Sequence, residues 1–286
     1  MRTSGQFLSP TRQAAIRPFE TAPRPLVGFA MDYPAGLSTG QHAHPRAQLP
    51  YAVSGVMRID TPEAAYLVPP STALFLPADA LHAVRMDGPV AMRELFLRED
   101  AATRAGTGTA VITVSPLLRE VILAARAEPL NWDLSGRGHH LAELALDEIA
   151  RATALPLGLA MPRDERLRLA VAALRAHPGD TRGLEGLASI AGASSRTLAR
   201  LFRAETGLSF RQWRQHARMT EAMGALSTGA SPARAAAVAG YANQPAFGAA
   251  FRALFGMTPG QARLLSRASR PSSSHPAGVN YSEPPP

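Results

Sequence analysis

The sequence predicts an α+β protein with several domains: a β-barrel in the N-terminal half, a helical linker region, and an all-α C-terminal half with two helix-turn-helix units. Its 286 residues are enough for two hydrophobic cores. Between Leu26 and Leu97, short runs of Val, Leu, Phe and Tyr are broken by Pro, Gly and Asp, which is typical of antiparallel strands. Further along the chain, apolar residues recur at helical spacing.

The domain boundaries follow from changes in composition. We expect a flexible polar N-terminus (1–25), a barrel (26–110), a helical dimerisation and linker region (111–162), a helix-turn-helix domain (163–270) and a disordered Ser/Pro-rich tail (271–286).

The linker region begins after a Gly/Thr-rich break at Ala105–Thr109. Apolar spacing predicts helices over Ser115–Ala127 and His139–Ala154, which would dimerise or brace the barrel. Leu155–Pro162 is bounded by proline and is predicted to be an extended linker. A helix over Asp164–Ala176 follows it.

The first helix-turn-helix unit lies between Leu184 and Gly207. Gly192 predicts the tight turn, Ser194 caps the second helix, and Gly207 ends it. Helical spacing places Leu198, Leu201 and Phe202 on one face. The opposite face then carries polar and basic side chains: Arg196, Thr197, Arg200 and Arg203.

The unit is duplicated 49 residues later, where Phe251-Arg252-Ala253 repeats Phe202-Arg203-Ala204. Ser231-Pro232 starts the second unit, and Gly240 makes its turn. Between the two units, Phe210–Leu226 should form one helix that fixes their separation. Two helices held in this way can enter successive major-groove segments about 34 Å apart on one face of DNA.

The charge is divided unequally along the chain. Residues 1–162 contain 14 Arg and 15 acidic residues, a net charge of −1, whereas residues 163–286 contain 16 Arg and 7 acidic residues, a net of +9. The basic half favours a polyanionic partner, although a solvated basic surface is the simpler alternative.

Composition also excludes several classes. The chain has no cysteine, so it has neither disulfides nor thiol chemistry. No apolar run approaches the roughly 20 residues of a membrane helix. Met1–Pro10 lacks the basic segment and apolar core of a signal peptide, so a cytoplasmic location without membrane association is expected.

From Leu184 to Arg263, including RLFRAETGLSFRQWRQHARM and GYANQPAFGAAFRALFGMTPGQAR, the chain resembles the DNA-binding domain of the AraC/XylS transcription regulators. The resemblance implies double-stranded operator DNA, an unidentified small-molecule effector, a homodimer, and RNA polymerase as a further partner if the protein activates. It places base contacts on Arg196, Ala199 and Arg200 in one helix and on Gln244, Pro245, Ala246 and Ala249 in the other. The remaining candidate DNA-contacting residues are Ser195, Thr197, Arg203, Asn243 and Arg252.

The two recognition helices are unequal. Arg196 and Arg200 can each bind guanine through two hydrogen bonds, whereas the second helix offers only Asn243 and Gln244 for polar contacts. The first helix is therefore expected to contribute more to base selection.

Histidines mark a second site, in the predicted barrel. Two segments resemble the cupin motifs, which implies a barrel of the cupin or jelly-roll type. The first contains Gly36, His42, His44, Gln48 and Gly55, with Gln in place of the usual Glu, and the second runs from Pro77 to His82 with Asp79 in place of Gly.

The spacing suggests a common ligand for these side chains. His42, His44 and Gln48 have the same parity, so on one strand they would point to one face, where His82 from a neighbouring strand can join them. The four residues are candidate ligands of a divalent ion such as Zn, Ni, Mn or Fe. A metal-free polar pocket for the effector and purely structural histidines are the alternatives.

Two functional classes remain. The first is a ligand-responsive DNA-binding regulator, and the second is a metal-dependent cupin enzyme, of the dioxygenase or isomerase type, fused to a DNA-binding domain. The sequence lacks paired carboxylates, a nucleophile with its base and a phosphate-binding loop, and Gln48 replaces the most plausible general base. We therefore expect a regulator and no catalytic residues.

Overall fold

The computed structural model of the protein describes residues 10–106 and 108–268, which divide into two compact units. The first contains residues 10–61 and 66–155, and the second contains residues 62–65 and 156–264. The first nine residues and the predicted tail (271–286) lie outside the described residues. No helix within the described ranges is both long and apolar enough to span a bilayer.

The first unit has two antiparallel sheets. Its strands are β1 (Leu26–Tyr33), β2 (Ala47–Ser54), β3 (Met57–Asp60), β4 (Ala64–Val68), β5 (Thr72–Phe75), β6 (Ala83–Met86), β7 (Val90–Leu97), β8 (Ala110–Thr113) and β9 (Ala154–Leu155). The larger sheet has the order β1-β7-β2-β5-β8-β9, and the other contains β4, β3 and β6 in that order. The two antiparallel sheets of the described residues agree with the predicted jelly-roll class, but they do not close into the barrel that was expected.

Four helices complete this unit: α1 (Pro10–Glu20), α2 (Glu99–Ala105), α3 (Pro116–Ala125) and α4 (Arg137–Arg151). One face of the larger sheet packs against α3 and α4, because alternate residues such as Leu49, Tyr51 and Leu95 are buried in one core with them. This packing corresponds to bracing, one of the two roles that the sequence suggested for these helices. The opposite face of the larger sheet carries Gln48, Glu94 and Phe96, the residues of the other parity, all of them buried.

The prediction of a flexible segment over 1–25 is wrong for residues 10–25. This part forms α1 and a following segment that is fastened to Arg46, whose guanidinium donates to the backbone carbonyls of Glu20 (2.8 Å), Arg24 (2.9 Å) and Ala22. Arg46 is buried, so three carbonyl acceptors replace its hydration. The polar, proline-containing composition of this segment did not predict an ordered structure, because its hydrogen-bond partner Arg46 lies more than 20 residues away in the chain.

The boundary placed at residue 110 is also wrong. β8 continues the larger sheet to Thr113 by pairing with β5, and β9 pairs with β8 from the far end of the predicted linker region. α2 was not predicted. The two predicted linker helices are present with shorter bounds, as α3 and α4.

The second unit is helical. After the short strand β10 (Gly158–Ala160), it contains α5 (Glu165–Ala176), α6 (Leu184–Ala191), α7 (Ser195–Thr206), α8 (Phe210–Ser227), α9 (Pro232–Val238), α10 (Gln244–Phe255) and α11 (Pro259–Ala268). The predicted N-caps are confirmed, since Ser194 Oγ accepts from Thr197 N and Ser231 Oγ from Arg234 N. Gly192 and Gly207 end their helices in the left-handed conformation that favours glycine (φ +59° and +70°).

Candidate functional site

The outward face of α7 is basic. Leu198, Leu201 and Phe202 are buried beneath it, so Arg196 and Arg200 are carried on the exposed side of the helix. Arg203 is exposed as well, whereas three other predicted contact residues of this helix are partly buried: Ser195, Thr197 and Ala199.

These three arginines have no carboxylate partner among the described residues, whereas Arg166 and Arg182 of the same unit pair with Asp164 and Asp180. Unpaired guanidinium groups on an exposed helix face are available for phosphate or base contacts.

The outward face of α10 is instead small and apolar. Phe247, Phe251 and Phe255 are buried under it, and the predicted contact residues on it are exposed: Gln244, Pro245, Ala246, Ala249 and Arg252. The Oδ1 atom of Asn243 accepts a hydrogen bond from Ala246 N (2.9 Å), so this residue caps the helix. Because Oδ1 is occupied in this hydrogen bond, Asn243 has fewer polar atoms left to contact DNA.

α8 is hydrogen-bonded to both helix-turn-helix units. On one side, Arg218 donates to the carbonyls of Pro178 (3.1 Å) and Asp180 (2.8 Å), just before α6. On the other, Gln215 Nε2 donates to the Tyr241 hydroxyl (3.0 Å) in the turn before α10. The predicted separating helix therefore holds both units through specific side chains.

Three of the four predicted metal ligands come together in the first unit. His42, His44 and His82 each offer one ring nitrogen, and these atoms lie within 4.8 Å of one another. His44 and His82 are buried and His42 is partly buried. The fourth, Gln48, is buried on β2 opposite Phe96, whose ring lies 5.6 Å from that of His44.

The histidines do not share a strand with Gln48, as the parity argument assumed, because β2 begins only at Ala47. A backbone bridge brings them together: His42 N donates to His82 O (2.9 Å) and His82 N to His42 O (2.8 Å). Asp79, where the motif usually has glycine, adopts a left-handed conformation (φ +58°) and donates its N–H to His44 O.

In all three histidine rings, Nδ1 lies within hydrogen-bond distance of an oxygen atom of the protein. Nδ1 of His42 lies 2.9 Å from Gly40 O, Nδ1 of His82 lies 2.8 Å from Ala80 O, and Nδ1 of His44 lies 2.5 Å from Glu20 Oε1. A carbonyl or carboxylate oxygen only accepts, so each Nδ1 carries a proton and none of these three contacts uses Nε2. This is the tautomer that metal-binding histidines adopt when a second group orients the ring.

Burial keeps two of the rings neutral. It lowers the pKa of His42 to about 3, with a smaller contribution from the neighbouring His82, and lowers the pKa of His82 to about 4. These two neutral imidazoles, together with the ring of His44, form a donor set that suits a divalent transition metal.

Glu20 is a residue of the histidine site that the sequence did not predict. It lies at the end of α1, in the segment expected to be flexible, and its carboxylate orients His44. No motif marks this residue, because its partner is 24 positions away.

Comparison with known proteins adds an independent finding. Residues 187–264 match a model described as a helix-turn-helix domain, and residues 29–156 match one described as an AraC-like ligand binding domain. The HTH-type transcriptional regulator NimR of Escherichia coli (strain K12) is 30% identical over 239 residues, covering 80% of this chain and 85% of that protein.

Two further matches are more limited. The HTH-type transcriptional regulator RipA of Corynebacterium glutamicum is 35% identical over 99 residues, covering 35% of this chain and 30% of that protein. Among solved structures, ToxT from Vibrio cholerae matches with 8% identity and a TM-score of 0.36, covering 85% of this chain and 99% of ToxT.

Proposed function

This chain belongs to the AraC/XylS family of transcription regulators, and we propose that α7 selects its operator while a small molecule bound between the two sheets controls its activity. It is a DNA-binding regulator and not an enzyme, as its relatives are named transcriptional regulators. The observation that carries the proposal is the exposed, unpaired arginine face of α7 above a buried apolar face.

Arg196 and Arg200 are assigned to base edges and Arg203 to the DNA backbone. Guanidinium groups at the start of a recognition helix reach guanine O6 and N7, and those further along reach phosphate. The small side chains of α10 permit a close approach to DNA, and Arg252 is assigned to phosphate.

The test uses full-length protein and sites selected from random duplexes. Arg196→Ala and Arg200→Ala should each weaken binding by about 1 to 3 kcal/mol and relax base preference at one position. Gln244→Ala should cost less. Arg166→Ala is the matched control, because this arginine belongs to α5 and is already paired with Asp164. Larger losses for Gln244→Ala than for the α7 arginines would contradict the assignment.

We also propose that the three histidines, with Gln48 as a further ligand, hold a divalent metal ion such as zinc, nickel, manganese or iron. The ring nitrogens that these histidines bring together and the carboxylate-oriented His44 support it. A bound ion would supply a Lewis-acidic contact for an oxygen or nitrogen atom of the effector. A metal-free polar pocket for the effector is the alternative.

Elemental analysis of the full-length protein distinguishes these alternatives. One ion per chain that is lost in His44→Ala supports the metal site. A protein without metal that still loses its transcriptional response in His44→Ala supports the polar pocket, and a retained response reduces the histidines to structural residues. DNA binding by the second unit should persist in every case.

We propose a cytoplasmic homodimer that contacts RNA polymerase where it activates. Leu117 on α3 and Leu144 on α4 support the dimer, because both are exposed on helices whose other faces are buried against the sheet.

A further inference from the structure

Glu94 is a buried carboxyl group on β7. Its Cα pairs with Phe29 of β1 and with Pro50 of β2, so it sits on a central strand of the larger sheet. Leu95 and Leu97, of the opposite parity, pack toward α3 and α4. Strand alternation therefore directs Glu94 to the other face of the larger sheet, where the ring of Phe19 from α1 lies 4.9 Å from Phe29 and 6.4 Å from Phe96.

This carboxyl group has no hydrogen bond or ion pair among the described residues, although only 5% of Glu94 is exposed. The nearby Arg93 does not serve it, since Arg93 projects to the opposite face and pairs with Asp32 (2.8 Å). Desolvation raises the pKa of Glu94 to about 8. Buried polar groups are normally paired, so an unpaired carboxyl inside a ligand-binding unit implies a partner that is not part of the chain.

The surroundings of Glu94 are mostly apolar and aromatic. The rings of Phe29 and Phe96, its neighbours on the same face, lie 6.1 Å apart in an edge-to-face arrangement. Glu94 also affects the ionisation of the Tyr33 hydroxyl, since burial and the charge of Glu94 both raise the pKa of Tyr33. The Arg12 guanidinium lies 5.6 Å from the centre of the Tyr33 ring and opposes this effect.

We propose that Glu94 is the specificity-determining residue of the effector site and that it binds a small organic ammonium group. This inference rests on the proposed effector-binding function of the first unit. An ammonium ion gains a charge-assisted hydrogen bond from the carboxylate and favourable contacts with aromatic faces. A hard metal ion would need six or more oxygen ligands, and an anionic ligand would keep the carboxyl protonated and gain no ion pair from it.

The experiment screens full-length protein against primary ammonium compounds from ethylamine to phenethylamine, each matched with the alcohol and the carboxylate of the same skeleton. At least one ammonium compound should raise the melting temperature, and its alcohol and carboxylate counterparts should not. Calorimetry with that compound should show a proton released from Glu94 on binding. Glu94→Gln should weaken its Kd about ten- to a hundredfold, because a charge-assisted hydrogen bond is lost.

Two further variants are compared with Glu94→Gln, and the first is the control for a changed charge. Glu99→Gln changes an exposed glutamate of the same unit and should bind like the wild type. Tyr33→Phe removes the phenol hydroxyl whose pKa is raised by the charge of Glu94, and it should bind more weakly while still releasing the proton.

The proposal is overturned if no ammonium compound binds, if the alcohols bind equally well, or if Glu94→Gln binds like the wild type. Binding to selected DNA is measured in parallel with each variant. A wild type that binds DNA but no ammonium compound refutes only the role of Glu94, whereas a wild type that fails to bind DNA refutes the proposed function itself.

Discussion

Glu94→Gln should make the first unit more stable, and the gain should grow with pH. In the unfolded chain this carboxyl titrates near 4.5, whereas burial raises its pKa to about 8 in the folded protein. The folded state therefore holds a proton that the unfolded state releases across this window. The contribution of Glu94 to the free energy of unfolding is therefore fully present below pH 4.5, the pKa of the unfolded chain, and it is lost as the pH rises through the folded-state pKa of about 8.

The structure sets the size of this effect. One pH unit between the two pKa values corresponds to about 1.4 kcal/mol, so the whole window from 4.5 to about 8 gives an upper limit of about 5 kcal/mol. Glutamine is neutral at every pH and keeps nearly the same shape. The difference in unfolding free energy between variant and wild type should thus be small near pH 4.5 and reach a few kcal/mol near pH 8.

The two tryptophans allow the first unit to be followed alone. Trp132 is buried in the first unit and Trp213 in the second. In a Trp213→Phe background, the fluorescence of Trp132 reports urea unfolding of the first unit only. Glu99→Gln in the same background supplies the control for a lost exposed charge. If the difference in unfolding free energy between Glu94→Gln and the protein with the native Glu94 stays constant with pH, the claim that Glu94 is buried in its neutral form is refuted.

Three other outcomes are expected. Gly28→Ala should destabilise the first unit by about 1 to 3 kcal/mol in urea unfolding, because its Cβ would lie 2.5 Å from the backbone nitrogen of Arg126. Replacing thymine by uracil in selected sites should weaken binding where α10 docks, since Ala246 and Ala249 can contact only the thymine methyl group; equal affinity would contradict this role. Glu20→Gln should lower metal affinity about ten- to a hundredfold by equilibrium dialysis, and unchanged affinity would remove the orienting role of this carboxylate.

The helical half was predictable because its signals are local. Ser194 and Ser231 cap the helices that follow them, and Gly207 ends one within a few residues of the apolar pattern it interrupts. The repeat at 49 residues then predicted the second unit from the first. Each signal depends on backbone hydrogen bonds between residues three or four positions apart, which the sequence displays directly.

The N-terminal site was only partly predictable, because long-range pairing builds it. The spacing of His42, His44 and His82 predicted a cluster, but the bridge that forms it joins positions 40 residues apart. Glu94 lies in the strand VAMRELFL, where the alternation of Met92, Glu94 and Phe96 places a carboxyl group on the same face as two apolar side chains. Glu20 offered no signal of its own.

α1 connects the two polar parts of the first unit. Arg12 lies over the Tyr33 ring, the Phe19 ring meets Phe29 at 4.9 Å, and Glu20 binds His44 at 2.5 Å. On the proposals made above, an ion at the histidines acts on α1 through Glu20, and an ammonium group at Glu94 alters the charge that Tyr33 and Arg12 experience. Two ligands that bias one element must change each other's affinity by the same factor. If both proposals hold, α1 is the element through which metal binding and effector binding would be linked.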